Sequence, residues 1–341
     1  MPRFPGVPGL VGFWRALAEV DPQAIALQAT ENVSIAIVGP PEVGKETLRR
    51  ALLGQTAGAG GADQRGSPGA VQVVEVLPGG RLDALPAAHL YLYVVDGGRG
   101  IDPAEAAPAR QIESRGEQLL YVVNKADQLG NPDAFRYTAA AVLGVPPGER
   151  LALASAIDAA QLTRELIPKM ASALGERALA MARTLPGTRE AVAQQLIMDS
   201  AKANGQFSLV SALPANIPVI GTLTALGADT LVLTKNQALL VFKLAALHGR
   251  ALDSKVQLAT EIAPVVGAAF VWRSIARSLV GLLPGLVSAV PKAAISFAGT
   301  YVVGQTAHYY YRWGRRPRRE TLEQFSREAV ALAKRSVTAL R

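Results

Sequence analysis

One stretch near the start of the chain combines residues that can hold phosphate. It reads SIAIVGPPEVGKETL, and in it Gly39 ends an apolar run and is followed, four residues later, by Gly44 and Lys45. Glycines at this spacing let backbone N–H groups surround phosphate oxygens, which the lysine and the start of a helix help to neutralise. The alternative is an ordinary glycine turn between a strand and a helix. The pattern predicts a phosphate-binding loop, or P-loop.

The residue after Lys45 departs from this pattern. Phosphate loops carry Ser or Thr at that position, where the hydroxyl binds Mg²⁺, and this chain has Glu46. Thr47 lies one residue later, about 100° further round the helix. A carboxylate at Glu46 could itself bind Mg²⁺, but it would bring negative charge towards the phosphates. We therefore predict weak Mg²⁺ binding, with Thr47 or Glu46 as the ligand.

Two further groups of polar residues follow apolar runs later in the chain. The stretch LYVVNKADQL contains Asn124, Lys125 and Asp127, and the stretch LALASAI contains Ser155 and Ala156. Asn124, Lys125 and Asp127 resemble the Asn-Lys-x-Asp pattern by which the GTPase superfamily reads guanine. This resemblance implies that the carboxylate of Asp127 accepts hydrogen bonds from the N–H donors of guanine and repels the corresponding edge of adenine. An ordinary turn followed by a helix cap is the alternative for Asn124 and Asp127.

Alternating strands and helices position these residues. Short apolar runs predict strands at 33–38, 71–77, 89–95, 119–123 and 151–154. The segments between them predict helices at 45–53, 103–116, 132–142 and 157–174. This alternation predicts an α/β domain with a mostly parallel sheet covered on both faces, in which ligands bind beyond the carboxyl ends of the strands.

In combination, the three motifs resemble those of the Era and TrmE class of small GTPase domains, over about residues 31–174. The resemblance implies a three-layer P-loop domain that binds guanine nucleotide, GTP or GDP, with Mg²⁺ as a possible cofactor. It implies that Asn124 fastens the loops, that the Lys125 stem covers the base, and that a backbone N–H of the Ser-Ala motif reaches the guanine oxygen. The nucleotide-binding residues that it implies are Gly39, Val43, Gly44, Lys45, Glu46, Thr47, Asn124, Lys125, Asp127, Ser155 and Ala156.

The chain also departs from this class in ways that bear on catalysis. The expected Asp-x-x-Gly segment aligns with Val76–Gly79, which keeps the glycine and lacks the aspartate. The glycine-rich stretch 54–70 stands where the first switch and an edge strand belong. We interpret Asp96, at the end of another strand, as a loop-fixing residue rather than a metal ligand. GTP hydrolysis is therefore expected to be slow or absent, and no catalytic residue is assigned.

The second half of the chain is hydrophobic and is predicted to be all-α. Its stretches ANIPVIGTLTALGAD and KNQALLVFKLAALHGR resemble the YcjF-type helical domain, over roughly residues 199–316. We predict helices at 236–252, with Gly249 as the stop, and at 320–340, and apolar segments at 261–283 and 279–311. The predicted division is an N-terminal amphipathic helix at 1–30, a GTPase-like domain at 31–184, a YcjF-type domain at 190–316 and a basic amphipathic C-terminal helix at 317–341.

Charge and composition limit the kinds of ligand and partner that the chain is expected to bind. The net charge is +8, but residues 312–341 alone contain nine Lys or Arg and three Glu, so a nucleic-acid partner is not expected. Tyr and Trp beside these arginines are typical of a membrane interface, and a soluble helical bundle or re-entrant helices are the alternatives. The chain has no cysteine and three histidines, which excludes disulfides and a zinc or iron–sulfur ligand set.

Two functions fit these patterns. In the first, guanine-nucleotide state alters how the helical domain meets a membrane or a protein partner, and the protein lies at the cytoplasmic face of the plasma membrane, or in the cytoplasm. In the second, the protein is a pseudo-GTPase scaffold whose helical domain acts without nucleotide switching. The N-terminal residues lack the pattern of a secretory signal, so we expect no export.

Overall fold

The computed structural model describes residues 20–55, 68–82, 85–211, 226–252 and 289–338. The chain divides into one unit formed by residues 28–192 and a second formed by 1–27 together with 193–341. The predicted segment 261–283 and most of the glycine-rich stretch 54–70 lie outside the described residues.

A five-stranded parallel sheet forms the centre of the unit 28–192. The strands are β1 (Ile35–Gly39), β2 (Val71–Glu75), β3 (Leu90–Asp96), β4 (Leu119–Asn124) and β5 (Leu151–Leu153). Their order across the sheet is β2-β1-β3-β4-β5, and every pair is parallel. All five predicted strands are confirmed, with boundaries within two residues of the prediction.

Burial explains why these short apolar runs form strands. All residues of β1, β3, β4 and β5 are buried, as expected for parallel strands covered on both faces. In contrast, β2 lies at an edge of the described sheet and exposes Gln72, Val73 and Glu75. One face packs a cluster of Tyr93, Tyr121 and other apolar residues with Ile112. The α/β fold predicted from the sequence is therefore confirmed.

One helix of this unit precedes β1, and the others follow β1, β3, β4 and β5. They are α1 (Pro22–Thr30, which also extends into the second unit), α2 (Lys45–Leu52), α3 (Ala106–Ser114), α4 (Pro132–Leu143), α5 (Ala159–Gln161), α6 (Ile167–Leu174) and α7 (Ala178–Thr184). A π-helical turn, Leu162–Leu166, connects α5 to α6. The start of α4 is capped by Asn131, whose side chain accepts a hydrogen bond from Ala134 N at 3.1 Å.

The second unit is helical in its described part. It contains α8 (Arg189–Val210, whose first four residues belong to the first unit), α9 (Leu226–Leu247), α10 (Ala289–Trp313) and α11 (Arg319–Thr338). Three of these helices meet at Gly304, because a Cβ there would lie 2.7 Å from Ile197 of α8 and 3.1 Å from Leu240 of α9. The predicted helix 236–252 begins ten residues too late, and Gly249, at φ 79°, follows its observed end.

Polar side chains are enclosed between α8, α9 and α10. Asn204 is fully buried, donates from Nδ2 to Thr300 Oγ1 at 2.8 Å and accepts from Asn236 Nδ2 at 2.7 Å. Three more pairs connect α8, or the residue that follows it, with α10: Gln194 with Gln305, Ser208 with Ser296, and Ser211 with Lys292. Because buried polar groups are costly unless they are hydrogen-bonded, these pairs favour one register of the helices.

None of the helices in the described ranges combines the length and the apolar character needed to cross a bilayer.

Candidate nucleotide-binding site

The loop between β1 and α2 requires its two glycines. A side chain at Gly39 would place its Cβ 2.2 Å from the carbonyl oxygen of Val94 in β3. A Cβ at Gly44 would lie 2.4 Å from the side-chain nitrogen of Asn124, and the φ of Gly44 is 87°. The first predicted motif is therefore in direct steric contact with the second.

Lys45 is the first residue of α2, and its side chain is only 6% exposed. Its Nζ donates a hydrogen bond to the carbonyl oxygen of Pro40 and lies 3.6 Å from Glu75 Oε2. Burial lowers the pKa of Lys45, and the charge of Glu75 opposes that shift. The lysine is thus a buried cation held against the loop that it would serve.

The two predicted metal ligands have different surroundings. The Glu46 carboxylate lies 2.9 Å from Arg49 Nη1 and 3.5 Å from Arg50 Nε, on its own helix, and Thr47 is exposed. Among the described side chains, no group of three or more carboxylates or imidazoles comes together as a metal site. Since the usual hydroxyl is replaced and Glu46 is shared between two arginines, these residues do not by themselves form the usual Mg²⁺ site of a phosphate loop.

Asn124 connects all three predicted motifs. It is the last residue of β4 and is 3% exposed. Its Nδ2 donates to the carbonyl oxygen of Val43 in the phosphate loop at 2.7 Å, and its Oδ1 accepts from Ala156 N at 2.9 Å. Both atoms of the amide that can form hydrogen bonds are therefore used to hold the phosphate loop and the Ser-Ala segment together.

Lys125 and Asp127, the other two residues of the second motif, are less buried than Asn124. Lys125 has a φ of 60° and its Nζ lies 2.5 Å from Asp96 Oδ2. Asp127 is exposed in a short 3₁₀ turn, Ala126–Gln128. Asp96 also accepts from Gly98 N at 2.9 Å, so its carboxylate holds both a lysine and its own loop, as the interpretation of Asp96 as a loop-fixing residue requires.

The Ser-Ala segment is buried directly after β5. Ser155 is 2% exposed and Ala156 is 4% exposed. Because Ala156 N already donates to Asn124, a bond from this N–H to a guanine oxygen would have to be shared. The next residue, Ile157, is 76% exposed. The structure therefore brings Ser155 and Ala156 to the site, with a loop-fastening contact for Ala156 that the sequence did not predict.

Backbone conformation also distinguishes these loops. Among the described residues, the non-glycine residues with positive φ are Glu42, at 62°, and Lys125, at 60°. Residues other than glycine rarely adopt this conformation, and those that do occur disproportionately at ligand-binding sites. One lies in the phosphate loop and the other in the Asn-Lys-x-Asp motif.

One further residue at the carboxyl ends of the strands was not predicted from the sequence. Glu75 ends β2, pairs in register with Gly39, and is the carboxylate nearest to Lys45 in the ion pair described above. The available signal was its place in VVEVLPGG, one residue before the position aligned with the absent aspartate. Its position opposite the phosphate loop follows only from the pairing of β2 with β1.

Comparison with known proteins gives a partial match. GTPase Der of Rhizobium etli (strain CIAT 652) is 27% identical to this chain over 146 residues, which cover 34% of this chain and 30% of Der. GTPase Der of Rhizobium leguminosarum bv. trifolii (strain WSM2304) gives the same values. The chain thus spans about 30% of the length of these relatives. No model of a protein family matches the chain. Together with the loop geometry, this distant similarity supports a P-loop GTPase-like domain.

Proposed function

We propose that this protein binds guanine nucleotide, GTP or GDP, at the loops that follow β1, β4 and β5. The observation that carries the proposal is a pair of hydrogen bonds: Asn124 Nδ2 donates to Val43 O, and Ala156 N donates to Asn124 Oδ1. They hold a glycine-rich loop with a lysine beside a motif whose residue types match guanine. The similarity to GTPase Der supports the same ligand.

Selectivity for guanine would come from Asp127. Its carboxylate is exposed, and it can accept hydrogen bonds from the N1 proton and the exocyclic amine of guanine. Adenine presents an unprotonated nitrogen in the corresponding place, which a carboxylate repels. ATP is therefore expected to bind more weakly than GTP.

Hydrolysis is proposed to be weak or absent. Phosphoryl transfer needs a positioned Mg²⁺ and an oriented water molecule. Glu46 stands where a metal-binding hydroxyl is usual, and it is paired with Arg49 and Arg50. The segment Val76–Gly79 lacks the aspartate of the related motif. Magnesium is accordingly expected to contribute less to binding than in an active GTPase.

The helical part is proposed to be a YcjF-type domain at 190–316 that links nucleotide state to a membrane or a partner. In this proposal the N-terminal helix at 1–30, the GTPase-like domain at 31–184 and the C-terminal helix at 317–341 keep their predicted limits. The turn between α10 and α11 supports contact with an anionic membrane surface at the cytoplasmic face, because Trp313 is 56% exposed there. Five exposed arginines lie within six residues of it in the sequence: Arg312, Arg315, Arg316, Arg318 and Arg319.

A pseudo-GTPase scaffold is the second candidate. The replaced metal-binding hydroxyl and the ion pairs of Glu46 favour it. The two candidates differ in their dependence on the nucleotide, because a ligand that binds two states equally shifts neither. Different affinities for GTP and GDP would support the switch, and equal affinities would support the scaffold.

Calorimetric titration of the full chain with GTP, GDP and ATP, each with and without Mg²⁺, tests the proposal. We expect guanine-selective binding that is lost in Lys45→Ala, because that variant removes the cation of the phosphate loop. Circular dichroism of each sample establishes that the protein is folded. Equal binding of ATP, or no heat from any nucleotide with a folded chain, would refute guanine-nucleotide binding.

A further inference from the structure

The strand order places the guanine motifs and the phosphate loop at different positions along the carboxyl ends of the strands. The guanine motifs follow β4 and β5, the phosphate loop follows β1, and β2 lies beyond β1 on the other side. If nucleotide binds as proposed above, its base lies over β4 and β5 and its phosphates extend towards β1. The terminal phosphate then points towards the end of β2, and the inference below depends on this orientation.

Glu75 lies at the carboxyl end of β2, on the side towards which the terminal phosphate would point. It is the last residue of β2 and pairs with Gly39, the first glycine of the phosphate loop. The next residue is fixed as well, because Val76 N donates to Gly39 O at 3.1 Å. From this position the carboxylate reaches to 3.6 Å from Lys45 Nζ, the cation that would face the outer phosphates.

Among the described residues, both lysines of the site are paired with carboxylates. Lys45 is paired with Glu75, and Lys125 is paired with Asp96. Arg49, at the far end of α2, donates to Val71 O at 3.2 Å and pairs with Glu46. A third phosphate brings additional negative charge, which would have to share Lys45 with the Glu75 carboxylate.

We propose that Glu75 determines how many phosphates the site accepts, and that it makes the site selective for guanosine diphosphate over guanosine triphosphate. The Glu75 carboxylate is a negative charge of the protein itself that already lies beside Lys45. It leaves the inner phosphates to the backbone of the loop and repels a γ-phosphate. Because Glu75 is 63% exposed and Lys45 is buried, the carboxylate can move away more easily than the lysine, and the discrimination is limited to about tenfold.

The test compares the affinities of the full chain for GDP and GTP, without Mg²⁺, in three proteins. These are the wild type, Glu75→Gln, which removes the charge and keeps the shape, and Glu117→Gln. Glu117 is an exposed carboxylate just before β4, at the opposite end of the strands, so this variant controls for the change in net charge. We expect the wild type to prefer GDP by about tenfold, Glu75→Gln to bind GTP about tenfold more tightly with little change for GDP, and Glu117→Gln to behave like the wild type.

Failure of this inference is separable from failure of the proposed function. A wild type that binds GDP, with the same GTP to GDP ratio as Glu75→Gln, would overturn the role of Glu75 and leave nucleotide binding standing. A wild type that binds neither nucleotide would overturn both.

Discussion

The two units of the chain use polar side chains in opposite ways. In the α/β unit they gather where parallel strands end, and buried Asn124 holds loops that are partly open to solvent. In the helical unit, buried Asn204 joins three helices from within, through Thr300 of α10 and Asn236 of α9. The same residue type thus stabilises a prospective ligand site in one region and helix register in the other. The difference lies in the partners: those of Asn124 belong to the loops of the proposed site, and those of Asn204 belong to packed helices.

Replacing each asparagine by alanine is expected to give the largest effects and to separate these roles. Asn124→Ala leaves the carbonyl of Val43 and the N–H of Ala156 without their side-chain partner, so we expect a loss of about 3 kcal/mol of unfolding free energy and at least about 100-fold weaker nucleotide binding. Asn204→Ala is expected to cost about 2 kcal/mol and to leave nucleotide affinity unchanged.

Denaturant titration and calorimetry measure both effects. All three tryptophans lie outside residues 28–192, so tryptophan fluorescence reports on the rest of the chain, while circular dichroism reports on both units. Equal losses of nucleotide affinity in the two variants would remove the distinction between the two asparagines.

Asp127→Asn tests whether the base is read where the motif predicts. The amide would lose a charged acceptor for the guanine amine and gain a donor that suits the 2-oxo group of xanthine. We expect about 100-fold weaker binding of GDP and tighter binding of xanthosine diphosphate than in the wild type. Competition titrations with the two nucleotides measure the change, and an unaltered preference for guanine would place base recognition elsewhere.

Gly44→Ala tests the steric contact between the phosphate loop and Asn124. Its Cβ would lie 2.4 Å from the Asn124 side chain, at a backbone φ of 87°. We expect nucleotide affinity to fall by about tenfold or more, since the loop must shift. Gly130→Ala is the matched control, because no atom lies within 4 Å of its Cβ position. If the two variants bind GDP equally well, the loop does not need this close approach.

Gly304→Ala tests the helical unit with the smallest expected effect. A methyl group would lie 2.7 Å from Ile197, and this overpacking outweighs the better helix propensity of alanine by about 1 kcal/mol. At Gly205 the nearest atom to a new methyl group is 3.3 Å away, so Gly205→Ala should be more stable than Gly304→Ala. Thermal unfolding gives the ranking, and the reverse order would show that the helices adjust at Gly304.

The α/β fold was predictable because its signals are local. The runs in β1, β3 and β4 are apolar up to their last residue, and each ends at or directly before a glycine or an asparagine. Asn124 and Lys45 could be placed at the same edge of the sheet for the same reason. The start of α9 was missed because its first ten residues include Gly227 and the β-branched Thr230, Val232 and Thr234, which have low helix propensity.

Contacts between distant parts of the chain were not predictable. The approach of Glu75 to Lys45 depends on the register of β2 against β1. Thr300 is separated from Asn204 by 96 positions in the sequence, so no short pattern connects them. The contact of Asn124 with Ala156 likewise joins two strand ends that are 32 residues apart.

Hydrogen–deuterium exchange of the full chain, with and without saturating GDP, tests the central claim most directly. If guanine nucleotide binds where Asn124 joins the loops, amides around Val43, Asn124 and Ala156 will exchange more slowly in the presence of GDP, and all three segments will respond together. GDP binding that leaves these three segments unprotected, or that protects only residues 226–252 and 289–338, would contradict the account.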